Sequence, residues 1–209
     1  MKKSKLLLAS AMLCALSAPA FADEAVAGNN YARLSGGIIV PEDLDGTSAG
    51  TPVTITFESG WTVSGAAGTW VNENLTVEGE LSYLSADFKD GTVIGVTVPI
   101  DGTFSSTLAL ANANFHFGGK AGTFDPYVGG GVGAAFTEID LKTVGGVAIN
   151  QKDSDTNLAA QATAGINLNL SSGLAIGAQY RYVYIDAGDN SNSDGFTAHN
   201  VTANVTLAF

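Results

Sequence analysis

From Tyr31 to Phe209 the chain is written in short runs whose apolar residues fall on every second position. Leu174, Ile176, Ala178, Tyr180, Tyr182 and Tyr184 share one parity, while Gly177, Gln179 and Arg181 share the other. The same split sets Leu75, Val77, Leu81 and Tyr83 against Glu78, Glu80 and Ser82. It also sets Leu158, Ala160, Ala162, Ala164, Ile166 and Leu168 against Gln161, Thr163, Asn167 and Asn169. A period of two is that of a strand, whose successive side chains leave opposite faces. Eight strands are predicted, over residues 31–40, 60–71, 75–87, 103–117, 126–139, 157–170, 173–185 and 197–209.

The connections sharpen this. Those over 41–59, 88–102, 140–156 and 186–196 are long, those over 72–74, 118–125 and 171–172 are short, and the two kinds alternate strictly. An antiparallel up-and-down meander puts all long loops at one end and all short turns at the other, which a Greek-key sandwich gives no reason to do. Strand lengths match the roughly 9–11 tilted residues that cross a bilayer. Tyr31, Phe115, Phe117 and Phe209 fall toward the short-turn end and Trp61, Tyr83, Phe136, Tyr182 and Tyr184 toward the other, as two interfacial aromatic girdles would. The prediction is therefore all-β: an eight-stranded antiparallel transmembrane barrel with its polar face toward the lumen. Two strands resist it. Trp61 and Trp70 have opposite parity, and Leu108 and Leu110 have the parity of Asn112, Asn114 and His116. Either a β-bulge reverses the facing or apolar side chains fill part of the lumen.

The first 22 residues are different. Lys2, Lys3 and Lys5 precede an apolar stretch, Leu6 to Ala18, and Ala20-Phe21-Ala22 fits a small-x-small cleavage site, so residues 1–22 read as a secretory signal peptide and 23–209 as the barrel domain. The apolar stretch is too short for a membrane helix. Cys14 lies within it, so the 23–209 region has no cysteine for a disulfide. Setting aside the three leader lysines leaves six basic residues against 20 acidic ones. That balance disfavours nucleic acid and anionic lipid surfaces as partners.

FDPYVGGGVGAAF (124–136), GLAIGAQYRYVYI (173–185) and the terminal VTANVTLAF (201–209) resemble the small eight-stranded outer-membrane barrels of Gram-negative bacteria, of the OmpA-type and opacity-like surface antigen kind. The resemblance spans all of 23–209. It implies residence in the cell outer membrane and contact with its lipid and lipopolysaccharide. It also implies a terminal assembly signal, Val205, Leu207 and Phe209, read by the outer-membrane assembly machinery. OmpA-type proteins proper carry a periplasmic peptidoglycan-binding domain after the barrel, which is not expected here.

Candidate chemistry is sparse. Arg33, Glu78, Glu80 and Arg181 have lumen parity, and charges in a narrow interior must be paired. Glu80 with Arg181, or Glu78 with Arg33, is the expected pair across the lumen, for folding or as a plug. VGGGVG (128–133) is not followed by a helix or by Gly-Lys-Ser/Thr, so it reads as strand glycines rather than a phosphate loop. DAGDNSNSDG (186–195) places Val201 where a calcium loop needs Glu, and reads as a solvated loop. His116 and His199 are predicted at opposite ends of the barrel, with no nucleophile assigned to either, so no catalytic residue, metal or cofactor is expected. Acidic residues gather in the long connections, among them Glu42, Asp43, Asp45, Asp153, Asp155, Asp186, Asp189 and Asp194. The sequence thus favours a structural surface protein whose loops meet host or environmental ligands, or divalent cations. A porin-like channel for small solutes or ions is the alternative, and a soluble secreted β-protein stands behind both.

Overall fold

The computed structural model describes residues 29–48, 50–171, 173–188 and 195–209. The predicted leader, with Ala20 and Ala22, lies outside them. Ten strands follow in order: β1 (Asn30–Pro41), β2 (Leu44–Ser48), β3 (Thr51–Phe57), β4 (Gly60–Trp70), β5 (Leu75–Val93), β6 (Val96–His116), β7 (Phe124–Val144), β8 (Val147–Ser171), β9 (Leu174–Ile185) and β10 (Phe196–Ala208). Eight close a ring in the order β1-β4-β5-β6-β7-β8-β9-β10, each neighbour antiparallel. The ring is completed by pairs from Tyr31↔Ala208 to Pro41↔Ala198 between β1 and β10. A closed wall satisfies the edge groups that lipid cannot hydrate.

Sequence and structure part at the long connections. Residues 88–102 and 140–156, predicted as loops, are mostly strand: β5 and β6 pair onward to Val93↔Val96, and β7 and β8 to Val144↔Val147. Their tips turn at Ile94-Gly95 and Gly145-Gly146, all at positive φ (51°, 72°, 58° and 81°), the two-residue hairpin geometry that matches strand twist. The 41–59 connection holds the β2–β3 hairpin, whose β3 pairs with the upper part of β5. A sheet therefore rises beyond the ring at what we call the hairpin end. The opposite, terminal end carries Asn30, Phe209 and the short turns.

Side-chain facing is inside out by the standard of a soluble protein. Leu34 is 71% exposed and Leu158 74%, while Arg181 is 1% and Asn200 0% exposed. Such a wall is stable only where apolar surface meets lipid. Tyr31 is the exception to the girdle prediction. It shares the parity of Arg33, so its ring lies in the lumen, buried over Gly68, where a side chain would collide with it. The two resistant strands need no bulge: β4 keeps one register from Trp61↔Ser85 to Trp70↔Thr76. Trp61 faces out against Tyr83 (ring centroids 5.3 Å apart), and Trp70 faces in against His116 (4.6 Å). Leu108 and Leu110 face in as well and are buried.

The lumen has two layers as a result. Toward the hairpin end, Leu108 and Leu110 join Ile39, Leu84, Phe88, Phe104, Val183, Ile185 and Phe196 in an apolar core. Phe57, on β3, closes over it, 5.1 Å from the Phe88 ring and 5.6 Å from that of Phe196, while Phe104 stacks on Phe196 at 4.2 Å. Toward the terminal end the large buried side chains carry charged or polar groups.

Candidate functional site

The polar layer is built around two carboxylates two residues apart on β5, which the strand period points into the lumen together. Arg33 of β1 meets Glu78 at 2.5 Å, and Arg181 of β9 bonds Glu80. Around them the Tyr31 hydroxyl donates to Glu78 (2.8 Å), and the Asn112 amide donates to both Glu78 (3.1 Å) and Glu80 (2.9 Å). Gln161 and Ser82 donate to Glu80 at 3.2 and 3.1 Å, and Arg181 reaches Thr62 at 3.4 Å. Six strands of the ring thus converge on one neutral set of two cations and two anions. All four charged residues are buried, so each charge loses its hydration and depends on these partners.

VGGGVG serves this network. The lumen-facing Gly129 and Gly131 lie on β7 beside Asn114 and Asn112 of β6, and a Cβ at either would collide with those amides. The run is strand throughout, with no helix N-terminus to hold a phosphate.

Nearer the terminal end, His116 Nδ1 lies 2.6 Å from Asp125 Oδ2, and His116 Nε2 lies 3.2 Å from Thr76 Oγ1. The sequence reading missed Asp125. Register supplies the link, since His116 pairs with Tyr127, two residues along β7. A hydroxyl, an imidazole and a carboxylate in line invite comparison with a nucleophilic triad. Thr76, however, is 0% exposed, so no substrate reaches its hydroxyl. The imidazole instead sits between the rings of Trp70 and Tyr127, the latter 5.2 Å away and stacked. Below it opens a vestibule of about 610 Å³, lined by Tyr31, Arg33, Trp70, His116, Lys120, Asp125 and Asn167 among others. The charge network and the apolar layer lie between this vestibule and the hairpin end.

His199 is at the other end of the ring. Its Nε2 is 2.9 Å from Glu42 Oε1 and its Nδ1 is 2.6 Å from the Tyr180 hydroxyl. The Thr197 hydroxyl donates to Glu42 at 2.7 Å. These contacts, Thr197 first and His199 second, hold the Glu42 carboxyl below the ordinary carboxylate range. Of the 186–195 loop, Asp186 accepts the Gly188 amide (3.3 Å), and residues 189–194 lie outside the described ones. Among the described residues no group of three or more His, Cys, Asp or Glu comes together as a metal site. Val205 and Leu207 face outward on β10, and Phe209, just past its end, is exposed as well.

The model of the family described as the outer membrane protein beta-barrel domain matches residues 8–209. The chain belongs to this family. Among solved structures, the outer-membrane protein OprG of Pseudomonas aeruginosa aligns over 87% of this chain and 96% of its own, at 14% identity and a TM-score of 0.60. The Neisserial surface protein A, NspA, aligns over 86% and 97%, at 17% identity and a TM-score of 0.55. At such identities the likeness is one of fold. No curated protein sequence matches the chain. As a member of this family the protein is a β-barrel of the bacterial outer membrane, and its outward apolar belt meets the lipid of that membrane.

Proposed function

We propose that this outer-membrane barrel is a non-conducting, non-enzymatic structural surface protein. Its hairpin sheet faces outward as a contact surface, and its vestibule and chain termini face the periplasm. The observation that carries the reading is the filled lumen: paired charges at mid-height, then an apolar layer closed by Phe57. An eight-stranded ring has an interior only wide enough for side chains or one small ligand, so these layers leave little room for solute flow. The acidic hairpins suit host or environmental ligands, and divalent cations shared with lipopolysaccharide. Residues 1–22 direct export, with cleavage after Ala22. Val205, Leu207 and Phe209 act as the signal for the assembly machinery.

Planar-bilayer recording of the refolded protein tests the central claim. The expected trace has no discrete openings, either for the native chain or for Phe57→Ala. Reproducible unitary openings that change with Arg181→Ala would instead establish the porin-like alternative, with the arginine–glutamate pairs as its gate.

A further inference from the structure

Inside the wall every strand of the ring has two neighbours, but above it β8 has only one among the described residues. Its pairing with β9 begins at Ala159, and one further bond, from the Asp186 amide to the Leu158 carbonyl (2.9 Å), ends the contact. From Val147 to Thr156 the strand is exposed and, among the described residues, pairs with β7 alone. Leu158 uses its carbonyl on the β9 side. Strand alternation therefore turns the backbone groups of Lys152, Ser154 and Thr156 to that same open side.

Such an edge is a template for another strand, and proteins that leave one exposed protect it. Here the protection is specific. The Ser154 amide donates to the Asp153 carboxylate and the Thr156 amide to the Asp155 carboxylate, each at 2.9 Å. Both aspartates occupy the donors that a partner strand's carbonyls would need.

We propose that the Lys152–Thr156 edge is a strand-addition site for an extended, basic polypeptide, with Asp153 and Asp155 as its latch. The proposal rests on the outward contact surface argued above. A partner must replace two carboxylates with two backbone carbonyls, and those carboxylates must then find new donors. A strand with lysine or arginine side chains beside the edge supplies them, forming charge-assisted bonds as the latch opens. An acidic strand cannot, and it brings like charges opposite Asp153 and Asp155. A second copy of this chain fails for the same reason. In the antiparallel registers centred on Asp153 or Ser154, aspartate faces aspartate across the seam.

The test is a titration of the 15N-labelled barrel in phosphatidylcholine nanodiscs, followed by amide shifts. Three peptides are compared: alternating Lys-Val, alternating Glu-Val, and alternating Lys-Pro, which matches the charge of the first but, with its lysines opposite Asp153 and Asp155, puts proline at each position facing the edge and donates no ladder bond there. Lys-Val is expected to shift the Ser154 and Thr156 amides and to bind at least about tenfold more tightly than either control. In the double variant Asp153→Ala, Asp155→Ala the preference over Glu-Val should fall to about twofold, because the edge is then open and has lost both of its carboxylates. Unchanged heat-dependent gel mobility confirms that this variant is folded. Equal binding of Lys-Val and Lys-Pro, shifts confined to other acidic residues, or no shift at all would overturn the proposal. So would pairing of two native copies through the same amides. Conductance is blind to this edge and the titration is blind to conductance, so either reading can fail alone.

Discussion

The two halves of the lumen obey one alternation and use opposite physics. Toward the hairpin end Phe104, Phe196, Leu108 and Leu110 pack as an ordinary core, tolerant of partners and demanding only of volume. Toward the terminal end Arg33, Glu78, Glu80 and Arg181 must each have the right neighbour, because a buried charge without one is far costlier than a missing methyl group. A barrel wall thus dictates that a side chain enters the lumen but not what kind it must be, and this chain uses both solutions at different heights.

Breaking one partner of the charged half should have the largest effect. Arg181→Ala leaves Glu80 buried beside an empty site, and we expect a loss of about 3–5 kcal/mol in urea unfolding of the folded barrel. The paired replacement Arg181→Met with Glu80→Leu should recover most of that loss; if it does not, the halves differ in more than electrostatics. In the apolar half Phe104→Ala should cost about 3 kcal/mol by cavity formation, with no matching double variant able to restore it except one that refills the volume.

Gly131→Ala is smaller and sharper. The added methyl displaces Asn112 from both glutamates, so about 1–2 kcal/mol should be lost. Gly36→Ala, whose Cβ would meet only a carbonyl at 3.8 Å, should stay within about 0.5 kcal/mol. Similar losses at both would mean that strand glycines matter for backbone reasons alone.

Smallest is the rim contact outside both halves. The folded Glu42 carboxyl is held below its ordinary value near 4.5, so its contribution is complete above that value and disappears as pH falls through the lowered one. The native chain and Glu42→Gln should therefore differ slightly in urea midpoint at pH 7 and converge at strongly acid pH. A difference that persists there would assign the effect to packing.

Much of this was legible in advance. Parity alone placed Glu78, Glu80 and Arg181 inward and Leu158 outward, because a two-residue period carries facing without reference to distant chain. Parity carries no height, which is why Leu108 and Leu110 looked anomalous until the layer they belong to was visible. The risen hairpins were hidden for another reason. A bilayer-length rule ends β5 near Asp87, although Thr92-Val93 and Val96-Thr97 mirror each other across the Ile94-Gly95 turn. Asp125 was out of reach because its partnership with His116 depends on register across a seven-residue connection between β6 and β7, whereas Tyr31 was within reach, since it shares the lumen parity of Arg33.

The β1–β10 pairing has a kinetic meaning. Leu34 lies opposite Val205, whereas most other neighbours in the ring are joined by a single hairpin. Such a sequence-remote contact is the slowest kind to form, since its loop entropy must be met before any of its bonds help. Until it forms, the sheet has two raw margins and its arginines and glutamates face an unsealed interior. The chain is thus committed to an order of events: hairpins first, then the seam, with the interior ion pairs tightening only as the cylinder shuts.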